Sequence, residues 1–184
     1  AASQSATGMD MKVWADANGT IGTVDQALAF GEGIGKFPQY AGIESPCQGA
    51  KVEDYRALKG LFPLPLAEHI PSDPMPFIRE ELLGALVVGG PIGKSLVQRA
   101  LMAEVTGVPI WLQHSIFTGV AQVFQAHQVA AYPGITHGVS ITHVIQDDLM
   151  VESFEMKNGL YQVPTLPGIG VRFDDNAIER YRRG

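Results

Sequence analysis

The sequence predicts a parallel α/β fold, the later part of an α/β barrel, on three observations. Three acidic residues, Asp16, Glu44 and Glu68, each close a short apolar run (MKVWAD, YAGIE, LPLAE) and each precede a polar or turn-forming stretch. Candidate strand ends at Asp16, Glu44, Glu68, Val88, His114 and Thr142 recur at intervals of 28, 24, 20, 26 and 28 residues, one strand–helix unit each time. Between them lie apolar residues at helical spacing. Strands alternating with helices imply a parallel sheet.

Taken in order, the helix candidates are Val24, Ala27, Leu28 and Ile34; then Val52, Tyr55 and Leu58; then an abbreviated helix around Pro76 to Leu83. Leu96, Val97, Ala100, Leu101 and Val105 mark the next, and Val120, Val123, Phe124 and Ala131 the one after. The last strand is expected near VSITH, with Ser140 and Thr142 on the face opposite Val139 and Ile141. Six units fit, whereas a closed barrel has eight and about 250 residues. The front of the barrel is therefore expected to be missing, with residues 1–10 (AASQSATGMD) a helix tail and loop and residues 11–145 the barrel units.

Composition narrows the function classes. With 46% hydrophobic and 17% charged residues the chain can bury a sizeable core, and no low-complexity tract divides it. A net charge of −6 with scattered Lys and Arg argues against a nucleic-acid partner. No apolar run approaches the ~18 residues of a membrane span, so no membrane partner is expected. The one cysteine, Cys47, forms no internal disulfide, which fits a reducing cytoplasm; it reads as a buried bystander.

In a parallel barrel the C-terminal strand ends share one mouth. Carboxylates at three successive ends would repel one another and raise each other's pKa unless a hard, oxygen-seeking cation lay between them, Mg²⁺ above all. Asp16, Glu44 and Glu68 are thus the candidate metal ligands. Taken singly, an Asp before Ala-Asn reads as a turn or cap.

The ordered pieces Trp14-Ala-Asp-Ala-Asn18, Ile43-Glu-Ser-Pro46 and Leu66-Ala-Glu-His69, with the tail LMVESFEMKNGLYQVPTLPGIGVRFDDNAIERY, resemble the mandelate racemase and muconate lactonising group of the enolase superfamily. The resemblance runs from Met11 onward. It implies an enolase-type (β/α)8 or modified TIM barrel lacking its capping domain and first strands here, with residues 11–145 as strands three to eight and residues 146–184 packing back toward the cap. It further implies Mg²⁺ on Asp16, Glu44 and Glu68, His114 as catalytic acid or base, and a small carboxylate substrate met by Asn18, His69, Thr142 and His143. A homo-oligomer is implied for the full-length form.

Some positions depart from the group. The K-x-K lysines of the second barrel strand have no counterpart, and the ALVVGG segment offers no ionisable group where other members keep an Asp or Lys. The expected chemistry is Mg²⁺-dependent removal of the proton α to a carboxylate, foremost dehydration of a sugar acid or related hydroxy acid. A racemase, epimerase or cycloisomerase is the alternative, and a catalytically silent metal-binding member is a third reading. His127 and His137 read as structural or exposed, Gly89, Gly90 and Gly93 as a tight turn or a phosphate cradle, Lys94 as a surface residue at a helix start, and Trp14 and Trp111 as core.

Overall fold

The computed structural model describes residues 11–69, 71–89, 93–113, 118–138, 145–152, 156–158 and 160–182. The chain forms two compact units, Ala1–Val87 and Val88–Gly184. Strands and helices alternate throughout, as the spacing predicts.

The first unit holds β1 (Val13–Asp16), α1 (Val24–Ile34), β2 (Tyr40–Glu44), α2 (Val52–Leu58), β3 (Leu66–His69), α3 (Met75–Arg79) and most of β4 (Ala85–Gly89). Its strands pair in parallel in chain order, with Asp16 opposite Glu44, Glu44 opposite Ala67, and His69 opposite Val87. Thr23 starts α1 through a capping box with Gln26, which satisfies orphan N–H groups of the first turn. Gly31 sits mid-helix because a Cβ there would lie 2.7 Å from the Phe62 ring. α2 presents Tyr55 and Leu58 inward, and the five-residue α3 adds Phe77, matching the abbreviated helix expected there. Tyr55 and Phe77 meet edge to face at 5.5 Å, the arrangement their ring quadrupoles favour. With Ile43, Leu66 and Leu86 these side chains form the layer between sheet and helices.

The second unit begins within β4 and continues through α4 (Lys94–Thr106), β5 (Ile110–Gln113), α5 (Gly119–Ala131), β6 (Ile135–Gly138) and α6 (Asp175–Tyr181). α4 buries Leu96, Ala100 and Ala103, while Leu101 and Val105, expected on the same face, are exposed. It stops at Gly107, whose φ of 73° is the left-handed conformation that closes many helices. β5 and β6 run parallel, Ile110 opposite Ile135.

A strand forms at Ile135–Gly138, ahead of the VSITH segment, because Ile135 is buried and this stretch takes the register against β5. Residues 139–144, with the strand end expected at Thr142, lie outside the described residues. His137 falls within this strand. In α5 the buried face carries Gly119, Gln122, Val123, Gln125 and Gln128, whereas Ala131 is exposed, so polar residues cover part of the interface expected to be apolar.

The tail is tied by local pairings. Met150 bridges Phe173 antiparallel, and Arg172 donates to Glu152 through both its backbone N–H and its guanidinium. Lys157 bridges Leu160 antiparallel, and Asn158 between them has a φ of 53°. Asp174 caps α6 by accepting from Asn176 and Ala177.

Candidate metal centre at the strand ends

Asp16 and Glu44 are the last residues of β1 and β2 and are opposite each other in the parallel register. Side chains of opposed residues share a face, and those two residues back on each strand share it too. Trp14 and Gly42 are that pair, and a Cβ on Gly42 would stand 2.2 Å from the Trp14 ring. The indole therefore lies across β2 beneath the two carboxylates. Beyond β1 the chain turns at once: the Asn18 N–H donates to Asp16 Oδ1 at 2.8 Å, with Asn18 itself at a φ of 49°. This Asx-type turn fixes one oxygen of Asp16 at the rim.

Glu68 lies at the same edge of the sheet but faces the other way. Ala67 is opposite Glu44, so Glu68, one residue on, points into the helix-covered layer. It is 4% exposed. Its Oε1 accepts from the Ser45 hydroxyl at 2.8 Å and from the His69 N–H at 2.7 Å, and its Oε2 accepts from the Tyr55 hydroxyl at 2.5 Å. Burial first, and then the charge and hydrogen bond of Glu68, push the Tyr55 phenol far above its ordinary range, so it stays protonated and donates. Ser45 reaches Glu68 from a φ of 44°, a conformation held by this contact network. Neither Tyr55 nor Ser45 was singled out from the sequence as a partner of Glu68. Counting two residues along α2 and β3 gives no sign of the pairing; only the strand register does.

His69 closes β3 on the face that Glu44 occupies. Its Nε2 is 3.1 Å from Glu44 Oε1. That oxygen is buried and accepts no hydrogen bond of good angle, so the contact is one of charge and proximity. Interaction with Glu44 is the largest influence on the ring and raises its pKa; partial burial opposes it, and the charges of Glu68 and Asp16 add to it.

A hard divalent cation asks for carboxylate oxygens free to bind it. Asp16 and Glu44 meet that requirement, the second with a buried oxygen lacking a hydrogen bond. Glu68 has both oxygens engaged. Among the described residues no three His, Cys, Asp or Glu side chains form a ready group for a metal ion. His114, Thr142 and His143 lie outside the described residues. Cys47 is buried, and burial above all raises its thiol pKa, which fits an inert thiol. Lys94 is the exposed first residue of α4, after Gly93 at a φ of 68°. Among the described residues no helix is long and apolar enough to cross a membrane.

Comparison with known proteins accounts for this architecture. The family model described as enolase C-terminal domain-like matches residues 87–177. An o-succinylbenzoate synthase of Geobacillus kaustophilus is 37% identical over 82 residues, 41% of this chain and 20% of that protein. An N-succinylamino acid racemase of Thermus thermophilus is 34% identical over 91 residues, 48% of this chain and 24% of that protein. The muconate lactonizing enzyme of Pseudomonas fluorescens, solved with muconolactone, superposes at a TM-score of 0.85 and 19% identity, covering 99% of this chain and 51% of that one. The L-talarate dehydratase of Polaromonas sp. JS666, solved with Mg and L-glucarate, gives a TM-score of 0.76 at 21% identity over 98% of this chain and 50% of that one. By these matches the chain is similar to the enolase superfamily and to its mandelate racemase and muconate lactonising group. Its fold is the α/β barrel portion of that group, and it spans about half the length of the solved relatives and about a quarter or less of the curated ones is matched.

Proposed function

We propose that the whole protein removes the proton next to the carboxylate of a small acid, with dehydration of a sugar acid or related hydroxy acid as the outcome. The observation that carries this reading is the opposition of Asp16 and Glu44 at adjacent strand ends, with a buried Glu44 oxygen that has no hydrogen bond. Asp16 and Glu44 would hold the divalent cation, Mg²⁺ by analogy with the Mg-containing talarate dehydratase structure. A proton α to a carboxylate is far too weakly acidic for a side-chain base unless the negative charge that develops is stabilised. Such a cation supplies counter-charge to the substrate carboxylate.

The remaining roles fall to the chain's own side chains. His114, following the last residue of β5, is the acid or base; an imidazole with an ordinary pKa of about 6.5 exchanges protons near neutrality. Asn18 and His69 stand at the rim on the Asp16–Glu44 side and would contact substrate, joined by Thr142 and His143. The unpaired Cys47 supports a cytoplasmic setting, and a homo-oligomer is the proposed assembly.

A second reading, racemisation or epimerisation at the same carbon, is supported by the 34% identity to an N-succinylamino acid racemase. Incubating the full-length protein in D₂O with candidate hydroxy acids and N-acylamino acids separates the two. Dehydration gives a 2-keto acid, whereas racemisation gives deuterium at the α-carbon of an intact skeleton. Chelator, Asp16→Asn and Glu44→Gln are each expected to abolish exchange. Exchange that persists in all three would refute the role given to this pair.

A further inference from the structure

Between α2 and β3 the chain runs Gly60-Leu61-Phe62-Pro63-Leu64-Pro65, at the edge of the first unit where β3 and β4 begin, opposite the strand ends that carry Asp16 and Glu44. Chemistry in parallel α/β barrels sits at the C-terminal strand ends, so this edge is free of it. Three glycines receive the rings of the loop. A Cβ on Gly31 would lie 2.7 Å from the Phe62 ring, one on Gly35 3.1 Å from Pro63, and one on Gly84 3.2 Å from Pro65. The Leu61 and Phe62 N–H groups both bond the Leu58 carbonyl. Leu61 is thus displayed by a docked loop and is 68% exposed. Scattered exposed leucines are ordinary, but one fixed in place loses little freedom on binding, so its apolar area is available to a partner.

Beside it lies a cavity of about 250 Å³ whose apolar wall includes Leu58, Phe62, Leu64 and Leu83, with Lys59 and Glu81 also lining it. Gly60 and Phe62, the neighbours of Leu61, line the cavity while Leu61 does not. Ligand pockets run from ~300 Å³ upward, and an apolar cavity of ~150 Å³ already takes benzene, so the space suits one aliphatic side chain better than a cofactor. An apolar knob and an apolar hole therefore stand side by side. The surface is also self-complementary in charge. Lys59 donates to the Glu80 carbonyl, an acceptor without net charge, and Glu81 makes no ion pair among the described residues. A contact about a two-fold axis sets residue i on j and j on i. Such an axis beside the cavity brings Lys59 of each copy to Glu81 of the other as Leu61 enters the facing hole.

We propose that this surface is a two-fold interface between copies of the chain, with Leu61 of each seated in the cavity of the other and Lys59 paired with Glu81 across it. This rests on the reading that the protein assembles as a homo-oligomer, and it names the surface and the residues that join the copies. Because the interface lies at the strand starts, it leaves Asp16 and Glu44 open to substrate in both copies.

The test is sedimentation velocity on the full-length protein over a range of concentrations, with urea unfolding of each variant alongside. Leu61→Asp puts a charge into the facing cavity and is expected to raise the dissociation constant at least tenfold, or to halve a larger assembly, while the variant stays folded. Lys59→Glu and Glu81→Lys each bring like charges together and are expected to weaken association, and the double variant to restore it. An assembly that survives Leu61→Asp and both charge reversals overturns this surface while leaving a homo-oligomer in place. Weakening by the single reversals without recovery in the double variant overturns the Lys59–Glu81 pairing. A wild type that stays monomeric at every concentration overturns the interface and the homo-oligomer together. Unfolding of Leu61→Asp, with association of the charge variants unchanged, would show that Leu61 is covered within its own chain and overturns the interface as well.

Discussion

The Tyr55 hydroxyl of α2 donates to Glu68 of β3 across the sheet–helix layer, at 2.5 Å, with both side chains buried. A carboxylate withdrawn from water in this way requires donors, and here it has three. Tyr55→Phe removes one while keeping the ring against Phe77. Hydrogen bonds to charged groups contribute ~1.5–3 kcal/mol, so a loss of that size is expected in urea unfolding. The phenol pKa is raised in the folded state, so its contribution is complete below the ordinary value of about 10 and drains away as pH climbs through and beyond it. The wild type should therefore lose stability above pH ~10 more steeply than Tyr55→Phe. Equal stability of the two proteins at neutral pH would show that Glu68 draws nothing from this contact.

Much of this was legible in the sequence, and the exceptions have a common cause. The runs ending in Asp16 and Glu44 are strands that end on those residues, and the abbreviated helix near Pro76 is a single short turn of five residues. β3, by contrast, extends one residue beyond LPLAE to His69. Side chains alternate with a period of two, so the face taken by Glu68 depends on which residue lies opposite Glu44, a matter of pairing between segments distant in sequence. In α5 the buried face includes three glutamines, which hydrophobic periodicity counts as solvent-facing.

Gly42 has a steric role that a substitution would expose. Its strand position needs no special backbone conformation, yet a Cβ would meet the Trp14 ring at 2.2 Å. Gly42→Ala must push the indole aside, and overpacking of this kind costs ~1–3 kcal/mol. A lower urea midpoint with a shifted Trp emission maximum is expected, since the ring lies under the Asp16–Glu44 pair. An unchanged midpoint would mean that the indole moves freely.

In the second unit, His127 of α5 places Nε2 2.9 Å from the Ile169 carbonyl, tying the helix to the Pro-Gly-Ile-Gly turn. The ring nitrogen donates in this contact, since a carbonyl only accepts. His127→Ala should cost about 0.5–1.5 kcal/mol and speed amide exchange around Gly170, whose N–H bonds Pro167 within that turn. Unaltered exchange at Gly170 would show that the turn holds itself without the helix.

The Glu44–His69 contact makes a prediction for the metal-stripped protein. Glu44 raises the pKa of His69, so the imidazolium is favoured in the folded state. The stabilisation this brings is fully present below the unfolded value of about 6.5 and is lost as pH rises through the higher folded value. Both side chains are partly open to solvent, His69 at 45%, so screening keeps the energetic effect small, and the titration itself is the better readout. Proton NMR of His69 in the presence of chelator should give a midpoint above 6.5, and Glu44→Gln should lower it. Adding Mn²⁺ or Mg²⁺ to the wild type should abolish the high midpoint, because a cation on Glu44 removes the negative charge that sustains it. A midpoint at or below 6.5 in the metal-stripped wild type would mean that the 3.1 Å contact does not persist in solution.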